Sequence, residues 1–211
     1  MDALTEKLRR AKKENKLPKI VVPVHLAGQS CDMERIRELS EKYGFTVIED
    51  ASHAVGADYL NTKVGSCAFS DMAVFSFHPV KIITTGEGGM VLTNNKDLYE
   101  QLILLRSHDI TRDPAKMTHE ADGPWYYQQI TLGFNYRMTD IQAVLGASQM
   151  TRLDAFVARR RELAARYNAL LKDFPLVTPD VMKGADPSWH IYIVRMVLVR
   201  SERRSGRSLR R

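Results

Sequence analysis

Apolar residues fall into two periodicities along this chain. Leu4, Leu8 and Ala11 recur at helical spacing across Asp2 to Asn15, with no breaker between them, and predict an amphipathic helix. Lys19 to His25, KIVVPVH, is a β-branched apolar run that predicts a buried strand, although Pro23 removes one ladder donor. Ala27-Gly28-Gln29-Ser30 reads as a turn. Asp32 then suits an N-cap for a helix to Tyr43, with Met33, Ile36, Leu39 and Tyr43 on one face and Gly44 as the stop. Phe45 to Asp50, FTVIED, is the next strand. Strand, helix and strand within about thirty residues make a βαβ unit and imply a parallel sheet.

Beyond Asp50 the pattern is less regular. Met72 to Phe77 and Gly89 to Thr93 are short apolar strands, with Asn94-Asn95 as a turn after the second. Asp97 to Ser107 predicts a helix with Leu98, Leu102 and Leu105 inward. Residues 108–137 lack periodicity and predict a long irregular segment, of the kind that usually carries function. Thr139 to Leu171 reads as one long helix or two in tandem. Its apolar side holds Ile141, Val144, Leu145, Leu153, Phe156, Val157, Leu163, Tyr167 and Leu170. Trp189 to Val199 is a final strand. A lone terminal strand cannot bury its face without partners, so the chain is expected to be part of a longer one.

Composition narrows the class. Of 211 residues, 44% are hydrophobic and 27% charged, which supports a packed core and excludes disorder as the dominant state. No apolar run approaches the ~20 residues of a membrane span, and the charged N-terminus has no signal-peptide core. With only Cys31 and Cys67, no disulfide framework is expected, and a cytoplasmic location follows as the default. The net charge of +6 is mostly a tail effect, because residues 200–211, RSERRSGRSLRR, hold six arginines and one glutamate. A near-neutral body with a basic, disordered tail offers no nucleic-acid face. The six histidines form no His-x-x-x-His pair, there is no CxxC, and neither a G-x-S-x-G nor a P-loop occurs. No metal site is expected.

Three groups of residues suit chemistry. Asp50 ends a strand in Glu49-Asp50-Ala51-Ser52-His53, and ligands of open α/β sheets sit beyond the carboxyl ends of strands. It equally suits a cap for the following turn. Lys81 follows a strand in Ser76-Phe77-His78-Pro79-Val80-Lys81 and precedes Thr84-Thr85-Gly86-Glu87-Gly88-Gly89. Partial desolvation there would make its amine nucleophilic toward aldehydes, whereas an exposed loop lysine would be inert. Gly133-Phe134-Asn135-Tyr136-Arg137-Met138-Thr139-Asp140 opens a helix, whose free N–H groups favour a phosphate or carboxylate; the alternative is a plain N-cap with a satisfied Asn.

In this order, IEDASHAVGADY, FSFHPVKIITTGEGGMVLTN and LGFNYRMTDIQAVLGASQM resemble the sugar aminotransferases of the DegT/DnrJ/EryC1/StrS family, which are pyridoxal-phosphate (PLP) enzymes. The resemblance runs from about Leu4 to about Met196. Within the family, PVHLAGQSCDM, RSHDITRDP and GPWYYQQITLGFNYRM point to members acting on a UDP-linked 4-keto-6-deoxy-N-acetylhexosamine in pseudaminic acid and surface-polysaccharide biosynthesis. The resemblance implies an α/β fold, the large-domain core of PLP fold type I, with a mainly parallel sheet and flanking helices. It places a partial PLP-binding domain at 1–150, a connecting helix and linker at 151–185, the first strand of a truncated small domain at 186–199, and the tail at 200–211.

The resemblance also implies roles. Lys81 would take PLP as a Schiff base, and Asp50 would pair with the pyridine nitrogen. His53 would sit against the cofactor, and Ser76 would hydrogen-bond its phosphate. Asn135 would reach the phosphate held by the neighbouring subunit of a homodimer. Glutamate is the expected amino donor, and a nucleotide sugar the acceptor. Dehydratases of the family carry histidine in place of the lysine, so Lys81 favours transamination. The pattern departs at both ends: the family's N-terminal phosphate loop and ring-stacking aromatic are not in this sequence, and VLVRSERRSGRSLRR does not look like the family. Asp109 stands where relatives carry glycine, a substitution that matters if the position needs positive φ. A non-catalytic remnant that keeps the motifs is the alternative.

Overall fold

The computed structural model describes residues 2–196. The basic tail at 200–211 and positions 197–199 of the expected last strand lie outside the described residues. Helix α1 (Asp2–Lys13) leads into β1 (Ile20–Val21), α2 (Met33–Tyr43) and β2 (Thr46–Asp50). Strands β1 and β2 are parallel, in register Ile20 with Thr46 and Val21 with Val47, which is the βαβ unit expected. Helix α2 starts where Asp32 accepts the Arg35 N–H, and it stops at Gly44, whose φ of 76° is open to glycine at no steric cost. Its Met33, Ile36 and Leu39 are buried with Leu8, Phe45, Val47 and Tyr59, each contributing roughly 1.5–3 kcal/mol.

A hairpin of β3 (Asp58–Tyr59) and β4 (Thr62–Lys63) precedes β5 (Met72–Ser76) and β6 (Gly89–Leu92). The main sheet runs β1-β2-β5-β6, with β5 parallel to β2 and β6 antiparallel to β5. One face, carrying Val47, Glu49, Ala73 and Phe75, is buried. On the other, Ile48, Asp50, Met72, Val74 and Ser76 are half-buried, and beside them Val22 and Val24 are 52% and 49% exposed.

Helix α3 (Lys96–Arg106) is capped by Asn95 and followed by β7 (Ile110–Thr111) and β8 (Gln128–Gln129), which pair. Helices α4 (Asp140–Met150) and α5 (Leu153–Leu170) come in tandem, broken at Thr151-Arg152. Last are β9 (Leu176–Val177), β10 (Ala185–Asp186), which joins β3, and β11 (Arg195–Met196), which joins β9.

Several expectations need correction. The Lys19–His25 run pairs as a strand only at Ile20–Val21, because Pro23 interrupts it. It still tracks β2, through Asp50 N–H to Pro23 O at 2.9 Å and His25 N–H to Asp50 O at 3.0 Å. The 108–137 segment is not wholly irregular, since β7 and β8 form a ladder within it. Leu98, Leu102 and Leu105 are half-buried, and α3 buries no residue fully. On the tandem helices, Val157 is buried but Ile141 is 84% exposed and Val144 69%. The strand expected from Trp189 begins only at Arg195, because Ser188 and His190 spend their N–H groups on Gly28 O and Ala27 O instead of a ladder.

Candidate functional site

Strands β2 and β5 are parallel, so their carboxyl ends share one edge, and the candidate residues gather there. Asp50 lies opposite Val74. Ser76, two residues further on, points to the same face as Val74 and Asp50 by strand alternation. After β5 the chain turns, with Lys81 N–H bonding His78 O at 2.9 Å. The following loop closes back on Phe77 O through Thr85 N–H at 3.0 Å and the Thr84 hydroxyl at 2.9 Å. Ile82 and Ile83 are buried and anchor that loop. Lys81 is therefore half-buried at the sheet edge rather than free on a loop. Ser76 Oγ accepts a long bond from the His78 N–H at 3.4 Å, which leaves its own proton for a ligand oxygen.

Charge concentrates at this edge. Burial opposes ionisation of Asp50, but hydrogen bonds from Ser52, including its N–H to Oδ1 at 3.1 Å, and the positive charges of His53 and Lys81 outweigh it. The carboxyl is held below its ordinary range. Asp50 does cap the turn, and the same bonds keep it anionic. His53 is pushed below its usual value by burial and by Lys81, against the pull of Asp50.

Asn135 is exposed on a separate segment, where it bridges to Ser107. It is not the helix cap. Thr139 is, in a capping box with Gln142. Helix α4 nonetheless docks on the loop after Lys81, with Gln142 Nε2 on Glu87 O at 3.0 Å and the Thr84 N–H on Gln149 Oε1 at 2.9 Å.

Two features went unread in the sequence. His190 packs on His53, with ring centroids 4.6 Å apart. His25 is fully buried against Glu49, the neighbour of Asp50. Each histidine meets its partner only through the tertiary fold, and no local spacing marks either pair.

Residues 3–208 match the model of the DegT/DnrJ/EryC1/StrS aminotransferase family. The chain belongs to this family. It is similar to the UDP-4-amino-4,6-dideoxy-N-acetyl-beta-L-altrosamine transaminase of Campylobacter jejuni, at 43% identity over 69% of this chain and 36% of that protein. Its fold matches Helicobacter pylori PseC, an aminotransferase involved in the biosynthesis of pseudoaminic acid, with a TM-score of 0.76, 35% identity, and coverage of 86% of this chain and 46% of that one. It also matches the PLP form of the sugar aminotransferase Spr1654 from Streptococcus pneumoniae, with a TM-score of 0.71, 27% identity, and coverage of 84% and 48%; that protein is also known in a PMP form. The chain spans less than half the length of these relatives. The family assigns PLP as the cofactor, and the edge suits that group: an anionic carboxyl, a half-buried lysine and a hydroxyl with its proton to give, on neighbouring strand ends. No helix of the described residues is long and apolar enough to cross a membrane.

Proposed function

We propose that this chain carries the lysine-bearing core of a PLP-dependent aminotransferase that aminates a UDP-linked 4-keto-6-deoxy-N-acetylhexosamine for surface-polysaccharide biosynthesis. The observation that carries this reading is the convergence of Asp50, His53 and Lys81 at the carboxyl ends of β2 and β5. The C. jejuni and H. pylori relatives support the sugar assignment. When bound, PLP supplies an electron sink that acidifies the carbon bearing the amino group. Lys81 would hold the cofactor, and its free amine would serve as general base and then acid in moving the proton. Asp50, as a carboxylate, holds the proton on the pyridine nitrogen. Ser76 donates its hydroxyl to the phosphate, and His53 packs against the ring. Asn135, exposed on its own segment, reaches the phosphate bound by a second copy in a homodimer. Glutamate is the proposed donor.

The second reading is a non-catalytic remnant that keeps the motifs, and the apolar face left uncovered at Val22 and Val24 beside Asp50 is the observation that favours it. One experiment addresses both. The chain is incubated with PLP and reduced with borohydride, and the labelled peptide is mapped. Label confined to Lys81 and absent from Lys81→Ala supports the cofactor site, while label spread over surface lysines overturns it. Glutamate-dependent amination of the keto sugar by the same chain would overturn the second reading.

A further inference from the structure

Helix α5 presents Arg160 to the Ser188–His190 arm, and its Nη1 donates to Trp189 O at 3.1 Å and His190 O at 3.0 Å. Trp189 has a φ of 52°, a left-handed conformation that a bulky side chain rarely adopts. Such strain persists only where the surroundings over-determine it. Here they do. The Ser188 N–H bonds Gly28 O at 3.1 Å and the His190 N–H bonds Ala27 O at 2.9 Å, while the Ser188 hydroxyl bonds His53 O at 3.2 Å. Ala27 and Gly28 are themselves left-handed, at φ 64° and 95°. Two tight turns, far apart in sequence, thus interlock around His53.

The result of this clamp is the His53–His190 ring pair. The rings are 4.6 Å apart and inclined at 42°. His53 Nδ1 faces the Ala27 N–H at 3.4 Å, which places its proton on Nε2. Among the described residues His190 Nδ1 is buried without a hydrogen-bond partner, so packing against His53 is what the geometry gives this ring to do.

We propose that His190 is a positioning residue of the cofactor site: its ring backs His53 and fixes the orientation in which His53 meets the cofactor, with Arg160 clamping the arm that carries it. The proposal rests on the PLP reading above. The charged and titratable neighbours of the pair are Asp50 and Lys81 on the His53 side and Lys81 and Arg160 on the His190 side. Burial first, then the electrostatic coupling to His53 and the positive charges of Lys81 and Arg160, pushes His190 down to about 4. An uncharged pair leaves Asp50 as the group that balances the pyridine proton.

The test reads His53 directly, by nitrogen and carbon NMR of the imidazoles in the whole chain without PLP. The wild type should show one His53 tautomer and a titration midpoint below 6.5. In His190→Ala and Arg160→Gln the midpoint should climb toward 6.5 and both tautomers should appear. His190→Phe should preserve the orientation, and Arg160→Lys should rescue part of it. Arg159→Ala, on the exposed side of α5, should change nothing. With PLP added, His190→Ala should bind about tenfold more weakly, a difference of about 1.4 kcal/mol. Wild-type His53 signals in His190→Ala, with native circular dichroism, would overturn the proposal. If that variant unfolds, unchanged His53 signals in Arg160→Gln overturn it equally. If the wild type binds no PLP yet shows the expected coupling, the cofactor reading fails and the coupling of the two rings stands.

Discussion

His25 Nε2 lies 2.7 Å from Glu49 Oε2, with both side chains buried. Nδ1 of the same ring accepts the Cys31 N–H at 3.1 Å, which leaves the proton on Nε2 to be donated to the carboxylate. The other Glu49 oxygen takes the Ser70 hydroxyl. Glu49 precedes Asp50, so this network sets the end of β2 from which Asp50 projects. Removing the histidine strands a buried carboxylate. His25→Ala should cost about 3 kcal/mol or more. His25→Gln, which keeps a donor toward Glu49 but no acceptor for Cys31, should cost less. Urea titrations compare the two, and a smaller loss in the alanine variant would contradict the argument.

Gly28 offers a sharper steric test. A methyl group there would sit 2.7 Å from Ser188 Oγ, 2.8 Å from His53 O and 3.0 Å from Trp189 N, at a φ of 95°. Both backbone strain and collision oppose alanine. Gly28→Ala is expected to lose at least ~2 kcal/mol and to undock the 188–190 arm. Proteolysis between β10 and β11 should quicken in step. Native cleavage rates in that variant would show that the arm is not seated on Gly28.

The parallel core was legible in the sequence because its signals are local. Asp32 and Gly44 bracket α2, and the apolar runs ending at Asp50 and Ser76 mark the strands. Strand ends and a Gly-rich loop mark where Asp50, Ser76 and Lys81 fall, while their cofactor roles rest on the family resemblance alone. Long-range pairing was not legible. The β3–β4 hairpin turns through Leu60 and Asn61 at φ 47° and 63°, and leucine does not advertise that conformation. Its third strand, Ala185–Asp186, arrives from the far end of the chain. The 189–199 region has strand-like apolar content, yet docking on Ala27 and Gly28 claims its first residues. His190 was hidden for the same reason.

Asp109 sits at φ 55° and is buried, in a backbone conformation that favours glycine. Its N–H bonds Leu104 O at 2.8 Å, and its carboxylate accepts the Thr131 hydroxyl. The side chain thus compensates for a conformation that disfavours a Cβ. Asp109→Ala keeps the strain and loses the bond, while Asp109→Gly loses the bond but relieves the strain. The glycine variant should therefore be more stable than the alanine variant by about 1 kcal/mol. Thermal unfolding of the pair decides, and equal stability would mean that the local backbone relaxes.

Acid should unfold this chain in a window set by its histidine pair. His190 has a folded-state pKa of about 4 against an ordinary 6.5, lowered by burial and then by His53, Lys81 and Arg160. His53 is lowered too. The sign follows from proton binding. Between 6.5 and 4 the unfolded chain takes up a proton at these rings that the folded chain refuses, so stability falls as pH falls. Above 6.5 both states are neutral at these positions and the contribution is fully present. Asp50 acts elsewhere: its carboxyl is held below 3.8, so its contribution is lost only as pH drops through that lower range. His190→Phe, which keeps a ring without the titration, should therefore flatten the stability profile between pH 6.5 and 4 and leave the loss below that range unchanged. Urea midpoints at half-unit pH steps for both proteins would show it. Parallel profiles across that window would mean that His190 takes up its proton without disturbing the fold.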